Sequence, residues 1–170
     1  HLLATLVGKI GMCGIFGYIS NKKIKGIPLL LNGLKRLEYR GYDSSGIALA
    51  AQKGIFCKKK SGRISELEKI INMDRLSKAG IGQTRWATHG APTNNNAHPH
   101  FECKKKIYLV HNGIIENYRE LKEKLAKKKH IFVSDTDTEV LAHLIEDLID
   151  IKRLSFEEAV RRALKLIVGT

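Results

Sequence analysis

The sequence predicts an α+β domain built of stacked layers. Three observations lead there. Short β-rich segments and amphipathic helical segments are interspersed along the chain, but without the regular strand–helix alternation of a doubly wound sheet. No glycine-rich phosphate loop joins a strand to a helix. The chain has 170 residues, 43% hydrophobic and 28% charged, enough for one packed core and too apolar for a disordered segment.

Gly14 to Ser20 is β-rich and reads as a short buried strand. Ile27, Leu30, Leu31, Leu34 and Leu37 recur at helical spacing, so Gly26 to Glu38 should form a helix with one apolar face. The stretch from Arg40 to Gly46 is rich in turn residues. Ile47 to Gln52 and Ile55 to Lys59 read as a hairpin turning at Lys53-Gly54. Ser65 to Lys78 reads as a less regular helix, and Gly80 to Trp86 as a strand leading into a polar loop through Asn96. Lys106 to His111 reads as a strand, Glu116 to Lys129 as a helix burying Leu121 and Leu125, and Ile131 to Ser134 as a short strand. Thr136-Asp137-Thr138-Glu139 and Ser155-Phe156-Glu157-Glu158 both have the capping-box pattern. The first should open a helix burying Val140, Leu141, Leu144, Ile145 and Leu148. The second should open one over Ala159, Val160, Ala163, Leu164 and Ile167.

Composition narrows the function. The net charge is +13, with lysine runs at 58–60, 104–106 and 127–129. The runs are scattered, carry few aromatics and accompany no nucleic-acid motif, so they read as solvated surface. No apolar run approaches the ~20 residues of a membrane helix. The three cysteines, Cys13, Cys57 and Cys103, are odd in number and never spaced C-x-x-C, which fits a reducing cytoplasm. His98, His100, Cys103 and His111 are close in sequence. Their H-x-H-x-x-C spacing is unlike the common zinc patterns, so structural histidines, with no metal and no cofactor, are expected.

The chemistry-bearing residues cluster where strands end. Arg85-Trp86-Ala87-Thr88-His89-Gly90 follows one strand, His111-Asn112-Gly113 follows another, and Asp137 lies at a helix start. A cation, an amide, backbone N–H groups and a carboxylate suit a small zwitterion and an oxyanion. Each also has a structural reading: a turn for Asn112-Gly113, a helix-start charge for Asp137, a surface ion pair for Arg85, a small core residue for Cys13.

Six blocks bring these residues together: "MCGI" from Met12, "RLEYRGYDSSGIA" from Arg36, "TRWATHG" from Thr84, "NAHPH" from Asn96, "VHNGIIENY" from Val110 and "SDTDTEV" from Ser134. In order and spacing they resemble the glutaminase domain of the glutamine–fructose-6-phosphate aminotransferase (glucosamine-6-phosphate synthase) family. Amidophosphoribosyltransferase, asparagine synthetase and glutamate synthase share the Cys-Gly-Ile start but not these blocks together. The resemblance implies a four-layer αββα N-terminal-nucleophile hydrolase fold. It implies Cys13 as nucleophile toward the side-chain amide of L-glutamine, with its own α-amino group as general base. Asn112 and Gly113 would form the oxyanion hole. Arg85 would clamp the α-carboxylate and Asp137 the α-ammonium. Thr88 and His89 would belong to the substrate loop, with Trp86 gating ammonia at its base. Arg40 would be structural or inter-domain, and Cys57 and Cys103 structural.

The resemblance also divides the chain. Residues 12–170 would be the N-terminal portion of a type-2 glutamine amidotransferase domain that is incomplete at its C-terminus. Sugar-isomerase domains that bind fructose 6-phosphate would follow in a cytoplasmic homodimer. Residues 1–11 read as a non-native extension, because Gly11-Met12-Cys13 looks like a translational start. With that extension attached, the nitrogen of Cys13 is an amide and the chain should be inactive. The competing readings are another amidotransferase with a different ammonia acceptor, and a non-enzymatic basic module that binds nucleic acid.

Overall fold

The structure, a computed structural model, describes residues 13–52, 54–71, 74–87 and 90–169. The extension with Met12, Lys53 of the hairpin turn, and Thr88 and His89 of the expected substrate loop lie outside the described residues. Strand β1 (Gly14–Lys25) is followed by helix α1 (Gly26–Lys35) and a 3-10 turn at Glu38–Arg40. Then come β2 (Ser44–Ala51), β3 (Gly54–Ser61), α2 (Ile64–Lys69) and β4 (Leu76–Arg85). Two short strands, β5 (His100–Phe101) and β6 (Tyr108–Leu109), precede helices α3 (Tyr118–Lys127), α4 (Glu139–Lys152) and α5 (Phe156–Leu166).

The four long strands form an antiparallel sheet in the order β1-β4-β2-β3. One face is covered by α1 and α2: Leu30, Leu34, Ile47, Leu49, Ile64 and Leu67 make a closed core with Phe16 and Tyr18 at its margin. The other side meets the layer holding β5 and β6. Lys59 Nζ donates to Asn95 O at 2.9 Å, and Ser61 N–H donates to Asn94 Oδ1 at 2.8 Å. Contact here is so close that a Cβ at Gly46 would lie 2.1 Å from His98 O, so only glycine fits in β2 at this point. Beyond it, α3, α4 and α5 enclose a second core with Ile115, Leu121, Leu125, Val140, Leu144, Ala159 and Ala163. The order helix, sheet, small sheet, helix is the expected four-layer arrangement.

Several local expectations are corrected. The helix expected over Ser65 to Lys78 stops at Lys69, because Leu76 and Ser77 pair with Lys25 and Ile24 and the strand starts ten residues before Trp86. Sheet pairing outweighs a weak helical pattern there. The strand expected over Lys106 to His111 shrinks to Tyr108–Leu109. Ile131 to Ser134 is not a strand. Its N–H groups are taken by side chains instead: Ile131 by Cys103 Sγ, Val133 by Glu139 Oε1 and Ser134 by Glu139 Oε2. That diverts Glu139, so the first capping box does not form, and Thr138 caps α4 without a side-chain bond. The helix still buries Val140, Leu141, Leu144, Ile145 and Leu148. At α5 half of the box is present, with Ser155 Oγ accepting from Glu158 N–H at 3.3 Å. Leu164, expected inward, is 54% exposed. Among the described residues no helix is long and apolar enough to cross a membrane.

Candidate active site

Strand β1 begins at the end of β4, because Gly14 pairs with Thr84. This register places Cys13 beside the residues leaving β4. Gly14 N–H donates to Thr84 Oγ1 at 3.2 Å, and Cys13 Sγ accepts from Trp86 N–H at 3.2 Å. Trp86 stands edge-on to Tyr42, with ring centroids 5.6 Å apart. Asp43, in the turn before β2, accepts from Ala87 N–H at 2.9 Å through Oδ2 and donates its own N–H to Arg85 O at 3.1 Å. The "GYDSS" turn therefore braces the Trp86 segment beside Cys13.

Asn112 reaches Cys13 from the next layer. Its Nδ2 donates to Cys13 O at 2.7 Å across 99 residues. Its orientation is set by Gln83, 1% exposed in β4, whose Nε2 donates to Asn112 Oδ1 at 2.7 Å and to His111 O at 2.8 Å. An amide carries two N–H donors. With Oδ1 held by Gln83 and one hydrogen on Cys13 O, the second Asn112 hydrogen remains for an anion formed near the sulfur. The Asn112-Gly113 pair is no hairpin turn, since no strand follows it before helix α3.

Arg85 is 4% exposed. Its guanidinium donates to Gly90 O at 3.1 Å and Ala91 O at 3.4 Å. Burial lowers its pKa, while Cys13, Asp43 and Asp137 facing it act in the opposite sense. A guanidinium stays charged through such a shift. Asp137 Oδ2 accepts from Ile115 N–H at 2.7 Å, and Oδ1 accepts from Thr138 Oγ1 at 3.4 Å. A buried cation and a buried carboxylate thus share a region with the Cys13 sulfur and the Asn112 amide. Such a set can hold a carboxylate and an ammonium at two points and an oxyanion at a third.

Of the residues expected in the site, Cys13, Trp86, Asn112, Arg85 and Asp137 are brought together. Gly113 follows Asn112 in the chain. Sequence reasoning missed three. Gln83 lies inside a strand, where a polar residue reads as one more outward position. Asp43 reads as turn chemistry. Asn96 Nδ2 donates to Ala91 O at 2.9 Å and its Oδ1 accepts from Asp135 N–H at 2.9 Å, which pins the loop whose carbonyls hold Arg85. The only available signal for Asn96 was its place within "NAHPH".

Comparison with known proteins bears on the fold and on the sequence as a whole. A glutamine amidotransferase domain family matches residues 67–150. The solved structure of glutamine phosphoribosylpyrophosphate amidotransferase from B. subtilis superposes with a TM-score of 0.73, at 26% identity, over 91% of this chain and 33% of that one. A structure described as the allosteric regulatory enzyme of purine biosynthesis gives a TM-score of 0.75 at 28% identity. The fold is the N-terminal-nucleophile fold of these glutamine amidotransferases. More narrowly, the chain is similar to the glutamine–fructose-6-phosphate aminotransferases. It is 54% identical to that enzyme of Pyrococcus horikoshii over 160 residues and 52% identical to that of Thermus thermophilus over 159 residues. These alignments cover 94% and 93% of this chain, which spans about a quarter of the length of these relatives (26%).

Proposed function

We propose that this domain releases ammonia from L-glutamine for transfer to fructose 6-phosphate, the hexosamine-forming reaction, with the sugar bound by segments outside this chain. The thiolate of Cys13 attacks the side-chain carbonyl carbon of glutamine, and the C–N bond breaks to give a Cys13 thioester and ammonia. Water then cleaves the thioester, returning the thiol and glutamate. The proton from the thiol passes to the leaving nitrogen through the α-amino group of Cys13, whose ordinary pKa of ~8 suits both directions. Asn112 and the N–H of Gly113 stabilise the oxyanion, Arg85 binds the α-carboxylate, and Asp137 binds the α-ammonium. Thr88 and His89 are assigned to substrate contact, and Trp86 to gating ammonia. Arg85 suits its task because a rigid, buried guanidinium can pair with a carboxylate at two points.

The observation that carries this reading is the Asn112 amide, fixed by Gln83 and laid against Cys13. The identity of 54% with an aminotransferase, against 26% with a phosphoribosylpyrophosphate amidotransferase, favours fructose 6-phosphate over other ammonia acceptors. The three free thiols suit a reducing cytoplasm. A homodimer belongs to the same reading.

A glutamine analogue carrying an electrophilic ketone at the amide position tests it. In the full-length protein beginning at Cys13, mass mapping should find one adduct, on Cys13. Burial pushes the Cys57 thiol up to about 11, so that residue should stay unlabelled. Adducts confined to Cys57 or Cys103 would refute the assignment.

A further inference from the structure

The geometry points to a structural zinc site formed by Cys103, His130, His143 and Glu146, beside the first two turns of helix α4. This departs from the metal-free expectation above. Cys103 is drawn away from His98, His100 and His111 and toward residues 27 and 40 positions further on. One ligand atom from each of the four residues lies within 4.8 Å of all the others.

The shape of the set is the main argument. A tetrahedral zinc with bonds of ~2.0–2.1 Å to nitrogen and ~2.3 Å to sulfur requires edges of about 3.3 Å between nitrogens or between nitrogen and oxygen, and about 3.6 Å between sulfur and nitrogen. Here the two Nδ1 atoms are 3.3 Å apart. Cys103 Sγ is 3.8 Å from His130 Nδ1 and 3.5 Å from His143 Nδ1. Glu146 Oε2 is 3.0 Å from His130 Nδ1 and 3.6 Å from His143 Nδ1. Each of these five edges is within a few tenths of an ångström of the requirement.

Proton placement gives a second argument. The outer nitrogens face carboxylates: His130 Nε2 lies 3.5 Å from Asp147 Oδ1, and His143 Nε2 lies 3.6 Å from Glu139 Oε1. Neither contact is a hydrogen bond, but the negative charge beside each Nε2 favours hydrogen there, and with it there two Nδ1 lone pairs are aimed at one point. A carboxylate oxygen and a sulfur face the same point. Four electron-pair donors converging without a cation repel one another. The carboxylate–histidine–metal arrangement relieves that repulsion and orients each ring.

The elements say what the metal would do. Cys103 comes from the turn after β5, His130 from the exit of α3, and His143 with Glu146 from one face of α4 at H-x-x-E spacing. Four protein ligands leave no open position, so the site is structural. It ties two separate segments, the turn after β5 and the exit of α3, to α4, the helix whose first turn adjoins Asp137. Cys103 is exposed, and a cleft lined by Lys128, His130, Asp147 and Asp150 leads from solvent to the ligands. The inference does not depend on the glutamine reading.

Cobalt(II) is the probe, in full-length protein stripped of metal by a chelator. One equivalent should bind with the intense visible bands of tetrahedral cobalt and a thiolate charge-transfer band, and zinc should bleach both. Cys103→Ser should remove the charge-transfer band, and His130→Gln should remove the tetrahedral spectrum, while Cys13→Ala leaves both. Asp147→Asn should keep the spectrum but weaken binding ~10–100-fold, as loss of an outer carboxylate does. Zinc should raise the melting temperature of the parent and not of Cys103→Ser. Metal-free Cys103→Ser should melt with the metal-free parent, which excludes simple misfolding. Absence of a tetrahedral cobalt spectrum, or its survival in both Cys103→Ser and His130→Gln, would overturn the site; a merely proton-bridged cluster gives the first result.

Discussion

Gln83 Nε2 donates to Asn112 Oδ1 at 2.7 Å, joining the middle of a buried strand to the residue that touches Cys13. The bond decides which end of the Asn112 amide faces Cys13. If it were lost, the amide would be free to rotate and present its oxygen to a developing anion. Gln83→Glu should therefore lower kcat for glutamine hydrolysis by ~10–100-fold with little change in KM. The basis is that an oxyanion donor acts mainly in the transition state and is worth ~3 kcal/mol when removed outright. Steady-state kinetics of Gln83→Glu beside Asn112→Ala checks this, and the double variant should lose little more than Asn112→Ala alone. Independent, multiplying losses would separate Gln83 from the oxyanion.

Arg85 predicts the opposite kinetic split. Its guanidinium is held by Gly90 O and Ala91 O, and that loop is pinned by Asn96. Arg85→Lys keeps the charge but loses the two-point grip on a carboxylate. KM for glutamine should rise by ~10–100-fold, with a smaller change in kcat, from a loss of ~1.5–3 kcal/mol in charge-assisted hydrogen bonding. Asn96→Ala should act the same way, more weakly, and should also lower the melting temperature, because Asp135 N–H loses its partner and Ala91 O loses one of its donors. An unchanged KM in Arg85→Lys would contradict the α-carboxylate role.

The role of the Cys13 α-amino group is open to direct comparison. A full-length chain beginning at Cys13 should hydrolyse glutamine. The same chain with any peptide joined before Cys13 should be slower by ~10²–10⁴, the usual cost of losing a general base. Intact-mass measurement must show the extension still attached. Equal rates from such a chain would remove the N-terminal-nucleophile mechanism.

Stability should fall on mild acidification. Burial holds His98 and His100 well below the usual imidazole value of 6.5, with the nearby positive charges of Arg85 and Lys59 adding to the effect. In the unfolded chain both titrate near ~6.5, so below that pH the unfolded state binds more protons than the folded state. Their contribution is therefore fully present above pH ~6.5 and declines as pH drops from there toward the depressed folded values, by up to ~1.4 kcal/mol per pH unit for each histidine. Burial alone would raise the Glu139 pKa, but the nearby His143 and hydrogen bonds from Ser134 and Val133 outweigh it and lower the value. That carboxylate adds a loss of the same sign at lower pH. Urea unfolding at pH 8, 6.5 and 5 measures the slope, and a flat profile would mean that the two imidazoles are not held neutral.

The chain's own pattern was enough for the inward face of α4, where Val140, Leu141, Leu144, Ile145 and Leu148 recur at helical spacing and are all buried. It was enough for the hairpin of β2 and β3, and its ordered blocks were enough to gather Cys13, Arg85, Asn112 and Asp137 into one site. These features are local, or are carried by short runs in which each residue type has few other uses. It was not enough where distant groups compete for one backbone. Ile131 to Ser134 looked like a strand until Cys103 and Glu139 took its N–H groups, and Leu76 to Lys78 looked helical until β1 lay beside it. Nor did any spacing join Cys103 to His130 and His143, because their meeting depends on how the turn after β5 and the end of α3 pack against α4. Periodicity and motif blocks were enough for the amphipathic helices, the hairpin and the residue types of the candidate site. Only the tertiary structure decided the Gln83–Asn112 bond and the Cys103 cluster, because hydrogen-bond partners and metal ligands are chosen by distance in space, and distance along the chain does not encode it.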